Sequence, residues 1–222
     1  MRRLHAMVLA GVLACGTQAF AQTRRPDPPP LPPPSLEISG VAMLGLMNFA
    51  ATESFDAALD KHIGSIFGGG ARVGLPWGGL FVDVGAWQFR SDGQRVFVYN
   101  DEVFSLGVPL DVTITPIELS GGWQFRFRRA PQFRPYVLGG YSSYRYQEVS
   151  DFATDAENVD ERFNGYHLAA GAEFPIHRWL GVAWEVNWTS VPDAIGDAGV
   201  SARFSETDLG GASLRFKILI GR

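Results

Sequence analysis

The chain has 222 residues, 46% of them apolar and 19% charged, with a formal net charge of −4. That length suits one domain with extensions, and a mildly acidic chain without a basic cluster argues against nucleic acid as a partner. No run of about 18 apolar residues follows the N-terminus, which excludes a helical membrane span. The 26 glycines and 13% aromatic residues disfavour helix and favour strand.

Met1-Arg2-Arg3 is a short cationic start, Leu4 to Ala14 an apolar core broken only by His5, and Ala19-Phe20-Ala21 a small-x-small site that leaves Gln22 as the new N-terminus. This order reads as a secretory signal over residues 1–21. Cleavage removes Arg2, Arg3 and Cys15, so the mature chain is more acidic and, having lost its only cysteine, forms no disulfide. A competing reading takes Val12-Leu13-Ala14-Cys15 as a lipobox with Cys15 lipidated; Ala-x-Ala stands at the more usual distance from the apolar core. Within residues 22–35, the run RRPDPPPLPPP from Arg24 to Pro34 reads as a stiff or disordered spacer, because proline fixes φ and removes a donor.

From Leu36 onward the pattern has period two. Leu180, Val182, Trp184, Val186 and Trp188 share one face, and Gly181, Ala183, Glu185 and Asn187 the other. The same split predicts strands at 36–49, 63–75, 79–90, 112–128, 135–147, 164–174, 180–189 and 208–220, with 94–108 either a hairpin or an extension of its neighbours. Short turns are expected near 76–79, 130–134 and 175–178, and long connections at 50–62, 91–111, 148–163 and 190–207. Long and short connections alternate, so they leave opposite ends of an up-and-down barrel, as in outer-membrane barrels. The acids Asp151, Asp155, Glu157, Asp160 and Glu161 in one long connection read as a solvated loop.

Large apolar residues occupy one face, and Gly, Ala, Ser and single charges the other. In a membrane barrel this sets Trp123, Phe125, Phe127, Phe174, Trp184, Trp188 and Phe216 toward lipid. It sets Arg72, Glu118, Arg126, His167, Glu173, Glu185, Arg215 and Lys217 toward the lumen. A barrel of about eight strands is wide enough only for side chains, so these charges are expected to pair in a packed core. The expected fold is all-β: one closed, antiparallel, up-and-down transmembrane barrel over 36–222 with short periplasmic turns and long external loops.

Thr115-Pro116-Ile117-Glu118-Leu119, Arg134-Pro135-Tyr136-Val137-Leu138-Gly139-Gly140-Tyr141 and the closing amphipathic strand look like segments of small outer-membrane β-barrels. The chain resembles that family, which includes the OmpA membrane domain and OmpX- and OmpW-like proteins, over 36–222. The resemblance implies the outer membrane of a Gram-negative cell, with outer-membrane lipids and the barrel-assembly machinery as partners. A closed barrel leaves no edge to cover, which suits a monomer. Family members commonly end in an aromatic residue, whereas this chain ends Ile218-Leu219-Ile220-Gly221-Arg222.

Motifs for chemistry are absent from the sequence. Gly68-Gly69-Gly70 lies in a strand without a following lysine-bearing helix start, and no GxSxG occurs. His62, His167 and His177 are too widely spaced for a metal site. His167 has Glu173 on its face but no serine beside it. No catalytic residue, cofactor or metal is expected. A structural or interaction barrel is the leading reading. The others are a small OmpW-like channel for ions or apolar solutes, a soluble periplasmic lipocalin-like barrel with Trp184, Phe125 and Phe216 inside, and a lipid-modifying outer-membrane enzyme.

Overall fold

The computed structural model describes residues 36–100, 102–150, 152, 158–196 and 199–221. The signal region, with Cys15, Ala19, Ala21 and Gln22, and the proline-rich spacer lie outside the described residues.

The elements run β1 (Glu37–Phe49), α1 (Thr52–Leu59), β2 (Ile63–Gly74), β3 (Leu80–Tyr99), β4 (Glu102–Gln124), β5 (Arg134–Val149), β6 (Val159–His177), β7 (Leu180–Ser190), α2 (Gly199–Phe204) and β8 (Gly211–Ile220). The eight strands form a closed antiparallel barrel in sequence order, with β8 pairing back onto β1. Paired positions lead from Ser39 through Arg72, Asp83, Ser120, Gly140, His167, Thr189 and Gly211 back to β1 at Phe49, ten residues farther on. This stagger tilts the strands and sets a bore that side chains alone can fill.

The apolar face points out. Leu44, Phe67, Ile117, Leu119, Leu168 and Val186 are each 55–60% exposed. The small and charged face points in, an inversion of the arrangement in a soluble barrel. Trp184 and Trp188 lie outside, and Phe216 packs on Trp184 on the same outer face with centroids 4.9 Å apart.

Three features differ from the sequence reading, and at 94–108 the structure takes the hairpin extension that the reading leaves open. Residues 91–111 form no long loop. β3 and β4 continue as a hairpin through Phe97↔Phe104 and Val98↔Val103, with a register shift between Gln94 and Val96. Both faces of this extension meet solvent, so its sequence shows no clean alternation. β4 stops at Gln124, so Phe125 and Phe127 belong to the turn before β5. Pro131 and Pro135 lack the N–H that further pairing needs. Phe125 and Phe127 are nonetheless 45% and 50% exposed. The 50–62 connection contains α1, and the 190–207 connection contains α2.

α1 turns its apolar side into the mouth of the barrel. Phe55 stacks on Phe49 at 4.3 Å, and Phe49 meets Phe89 edge-on at 4.9 Å. No side chain of its own caps the helix. Instead the Glu206 carboxylate accepts from the backbone N–H of Glu53 and Ser54, both at 2.9 Å, satisfying donors a first turn leaves orphaned. Asp208 fixes the same connection by accepting from Ser190 Oγ and from the backbone N–H of Val191 and Gly210.

Candidate functional site: the barrel interior

The interior is built in tiers. At the end with the long connections, Met47, Phe49, Phe55, Ile66, Phe89 and Ile114 are among the residues of one buried apolar cluster.

Below this plug lies an ionic tier. Glu185 on β7 is the register partner of Arg215 on β8. Across the lumen, Glu118 on β4 accepts from both terminal nitrogens of Arg215, at 2.8 and 2.9 Å. Arg215 Nε donates to Ser213 Oγ at 3.0 Å, and the Asn187 amide, its oxygen turned inward, accepts from Nη2 at 2.8 Å. This guanidinium is 2% exposed, and each of its three nitrogens donates to an acceptor. Trp87 Nε1 donates to Glu118 at 2.8 Å. Lys217 Nζ and Tyr136 Oη both donate to Glu185 Oε2, while Glu185 Oε1 faces Arg215 at 3.7 Å.

Tyr136 reaches Glu185 by crossing the strand between them. Its pairing partner on β6 is Gly171, itself paired with Glu185. A Cβ at Gly171 would come within 2.6 Å of the Tyr136 ring. His167 uses the same device. Its Nε2 meets Ser120 Oγ at 2.7 Å across Gly140, and its Nδ1 meets Ser142 Oγ at 2.7 Å.

Nearer the short turns, Arg72 donates from Nε and Nη2 to the two oxygens of Asp83, both at 2.7 Å, and from Nη1 to Glu173 at 3.4 Å. Phe81 and Tyr136 stack against its guanidinium at 4.1 and 4.7 Å. Gln124 donates to Glu173 at 2.9 Å, and Arg134 approaches the same carboxylate at 3.8 Å.

Seven of the eight expected lumen residues therefore line the interior, and Arg126 does not. It lies past the end of β4, where its half-exposed side chain pairs with Glu37 at the rim. The pattern of alternation ran on through residue 128 although the pairing did not, which is why the sequence placed Arg126 inside. Asp83 and Tyr136 were not singled out in the sequence, although their position in the alternation puts both on the inner face. Ser120 and Ser142 were missed because they reach His167 from other strands, so the absence of a serine near it in sequence was misleading. Among the outward aromatics, Trp123, Phe174, Trp184 and Trp188 are 38–53% exposed.

Cavities remain but are small. One, of about 40 Å³, lies against the bare backbone of Gly69, Gly70 and Gly85 beside Glu118, Glu185 and Lys217. Another, of about 30 Å³, lies between Arg72, Gln124 and Glu173. Such spaces suit a few water molecules, not a solute. Among the described residues, no helix is long and apolar enough to cross a membrane, which says nothing of strands, and no His, Cys, Asp and Glu group could hold a metal ion.

A closed eight-stranded wall with its apolar side outward defines a barrel that crosses a membrane with strands. The model of the outer membrane protein beta-barrel domain family matches residues 7–210, and the chain belongs to that family. It is thus an outer-membrane barrel, and the long connections lie on the external side. A comparison with curated proteins finds no match. Among solved structures, the chain is similar to a major outer membrane protein of Thermus thermophilus, with TM-score 0.53 and 11% identity over 83% of this chain and 99% of that one. It is similar to Neisserial surface protein A, from Neisseria, with TM-score 0.50 and 10% identity over 84% and 96%. The N-terminal barrel of Pseudomonas aeruginosa OprF matches at TM-score 0.45 and 11% identity over 83% and 97%. At these identities the likeness is one of fold.

Proposed function

We propose that the chain is a structural and interaction protein of the outer membrane whose lumen is closed to solutes. One observation carries this reading: the bore is occupied by an apolar plug, a tier of paired charges and a second charged tier, and its cavities are of water size. Work at the outer face then falls to the external connections. Among the described residues, the interior brings together no catalytic arrangement. Both ring nitrogens of His167 meet serine hydroxyls, so no carboxylate orients the ring, and it is 1% exposed. The same reading takes residues 1–21 as a cleaved signal, 22–35 as a spacer, outer-membrane lipids and the barrel-assembly machinery as partners, and the monomer as the working form. Planar-bilayer recording tests the closed lumen. The protein is expected to insert without steady conductance; reproducible unitary steps would favour the small-channel reading.

A further inference from the structure

The outer face carries an ordered change of chemistry above its apolar belt, confined to β3–β6. On β6 the outward residues read Leu168, Tyr166, Asn164, Arg162 and Asp160, going away from the belt. On β5 they read Tyr141, Ser143, Arg145 and Gln147; on β4, Ile117, Thr115, Thr113 and Asp111; on β3, Gln88, Arg90 and Asp92. Tyr141 and Tyr166 are register partners about half exposed, and Trp188 packs on Tyr166 at 5.9 Å. Such aromatics mark a membrane interface. Arg145 and Arg162 each stand four residues beyond these tyrosines, about 10 Å farther from the bilayer centre on tilted strands. The stagger of the barrel brings Arg90 to within about 5 Å of the same height. The arginines are thus at headgroup depth, and on β3 and β6 an acid stands two residues farther out, away from that plane.

Asp92, Asp111 and Asp160 match these arginines in number, but among the described residues only Arg145 of the three is ion-paired. Arg145 and Arg162 face each other directly across β5 and β6, which is unfavourable for like charges. Only Arg145 is bonded to a carboxylate: Asp160 accepts from its Nε at 2.9 Å and from its Nη2. Arg90 and Arg162 are exposed and make no ion pair among the described residues. Thr113 and Thr115 line the space between the β3 and β5 arginines, and Gln88 donates to Thr115 at 3.3 Å. The other strands present Leu46 and Asn48, Ile63 and Ser65, Trp188, and Ala212 near this level.

We propose that Arg90, Arg145 and Arg162, with the hydroxyls of Thr113, Thr115 and Ser143, form a docking surface for the phosphate groups of outer-leaflet lipids. A phosphate supplies the anion that Arg90 and Arg162 lack and adds to the one Arg145 has in Asp160, and guanidinium forks match its oxygens. The surface is continuous with the lipid-facing belt, so the acyl chains of the same lipid lie on Ile117, Leu119 and Leu168. The proposal rests on the outer-membrane placement with the long connections outside.

The test uses the full chain folded in phosphatidylcholine nanodiscs containing a minor fraction of lipid A or of lipid A stripped of its phosphates. Lipid retained on the protein is counted by native mass spectrometry, and insertion is checked by the heat shift on SDS gels. Wild type is expected to retain the phosphorylated lipid over the stripped one, with a loss of about fivefold for each of Arg145→Gln and Arg162→Gln. Arg145→Lys and Arg162→Lys should recover most of it. Equal retention of the two lipids, or retention unchanged in the double glutamine variant, overturns the proposal. If the double variant does not fold, Arg90→Gln carries the test, and unchanged retention there overturns it. Displacement of the lipid by millimolar inorganic phosphate also overturns it, as a site for a free anion. A wild type that gives no heat-shifted form overturns the membrane placement itself, a failure separate from the others.

Discussion

Arg215 shows how single side chains hold the lumen shut. Two charges taken out of water are tolerated because all three guanidinium nitrogens of Arg215 donate a hydrogen bond, Glu185 stands 3.7 Å from Nη1, and Glu118 also receives Trp87. Removing one partner should be far worse than removing both. Glu118→Ala is expected to lower stability by about 3–5 kcal/mol, read as the urea midpoint for unfolding from lipid vesicles. A double Glu118→Leu and Arg215→Met variant should recover much of that loss; a single variant as stable as wild type would show that the pair is not desolvated as described. Gly171→Ala should also destabilise, by about 1–3 kcal/mol, because its Cβ meets the Tyr136 ring that crosses to Glu185. The inward facing of Glu118, Glu185 and Arg215 was legible because period two assigns a face. Which acid meets which base was not: Glu118 and Arg215 lie on strands far apart around the wall, and their contact is set by the width and stagger of the barrel.

At the scale of elements, α1 and the connection between β7 and β8 act as one lid, tied by Glu206 and Asp208. Asp208→Ala leaves Ser190, Val191 and Gly210 without their acceptor. Limited proteolysis is expected to cut within 191–210 in that variant and not in wild type, while the barrel keeps its resistance to SDS. Phe55→Ala removes the ring that stacks on Phe49 and should cost about 3–5 kcal/mol. It should not open a conducting path, because the ionic tier lies beneath the plug. Steady conductance in Phe55→Ala alone would assign the seal to the lid. α1 escaped the sequence reading because an eight-residue helix between two strands gives a short periodic signal, and its cap comes from Glu206, 153 residues from Glu53. The β3–β4 extension was legible only as the alternative of a hairpin or longer strands at 94–108, because both of its faces meet water. The core strands were legible because one face is buried and the other is not.

For the molecule as a whole, strand number, closure and the asymmetry of the two ends all follow from where polarity alternates and where it stops. What the sequence could not settle was the tiering of the interior, since the height of a residue depends on the stagger that accumulates around the wall. The central claim is a closed wall with its apolar side in lipid and its charges inside. It is tested most directly by running membranes containing the protein on SDS gels with and without boiling. A folded form that resists SDS and changes mobility on boiling is expected. A protein found in the soluble fraction, with one mobility under both conditions, would contradict the claim.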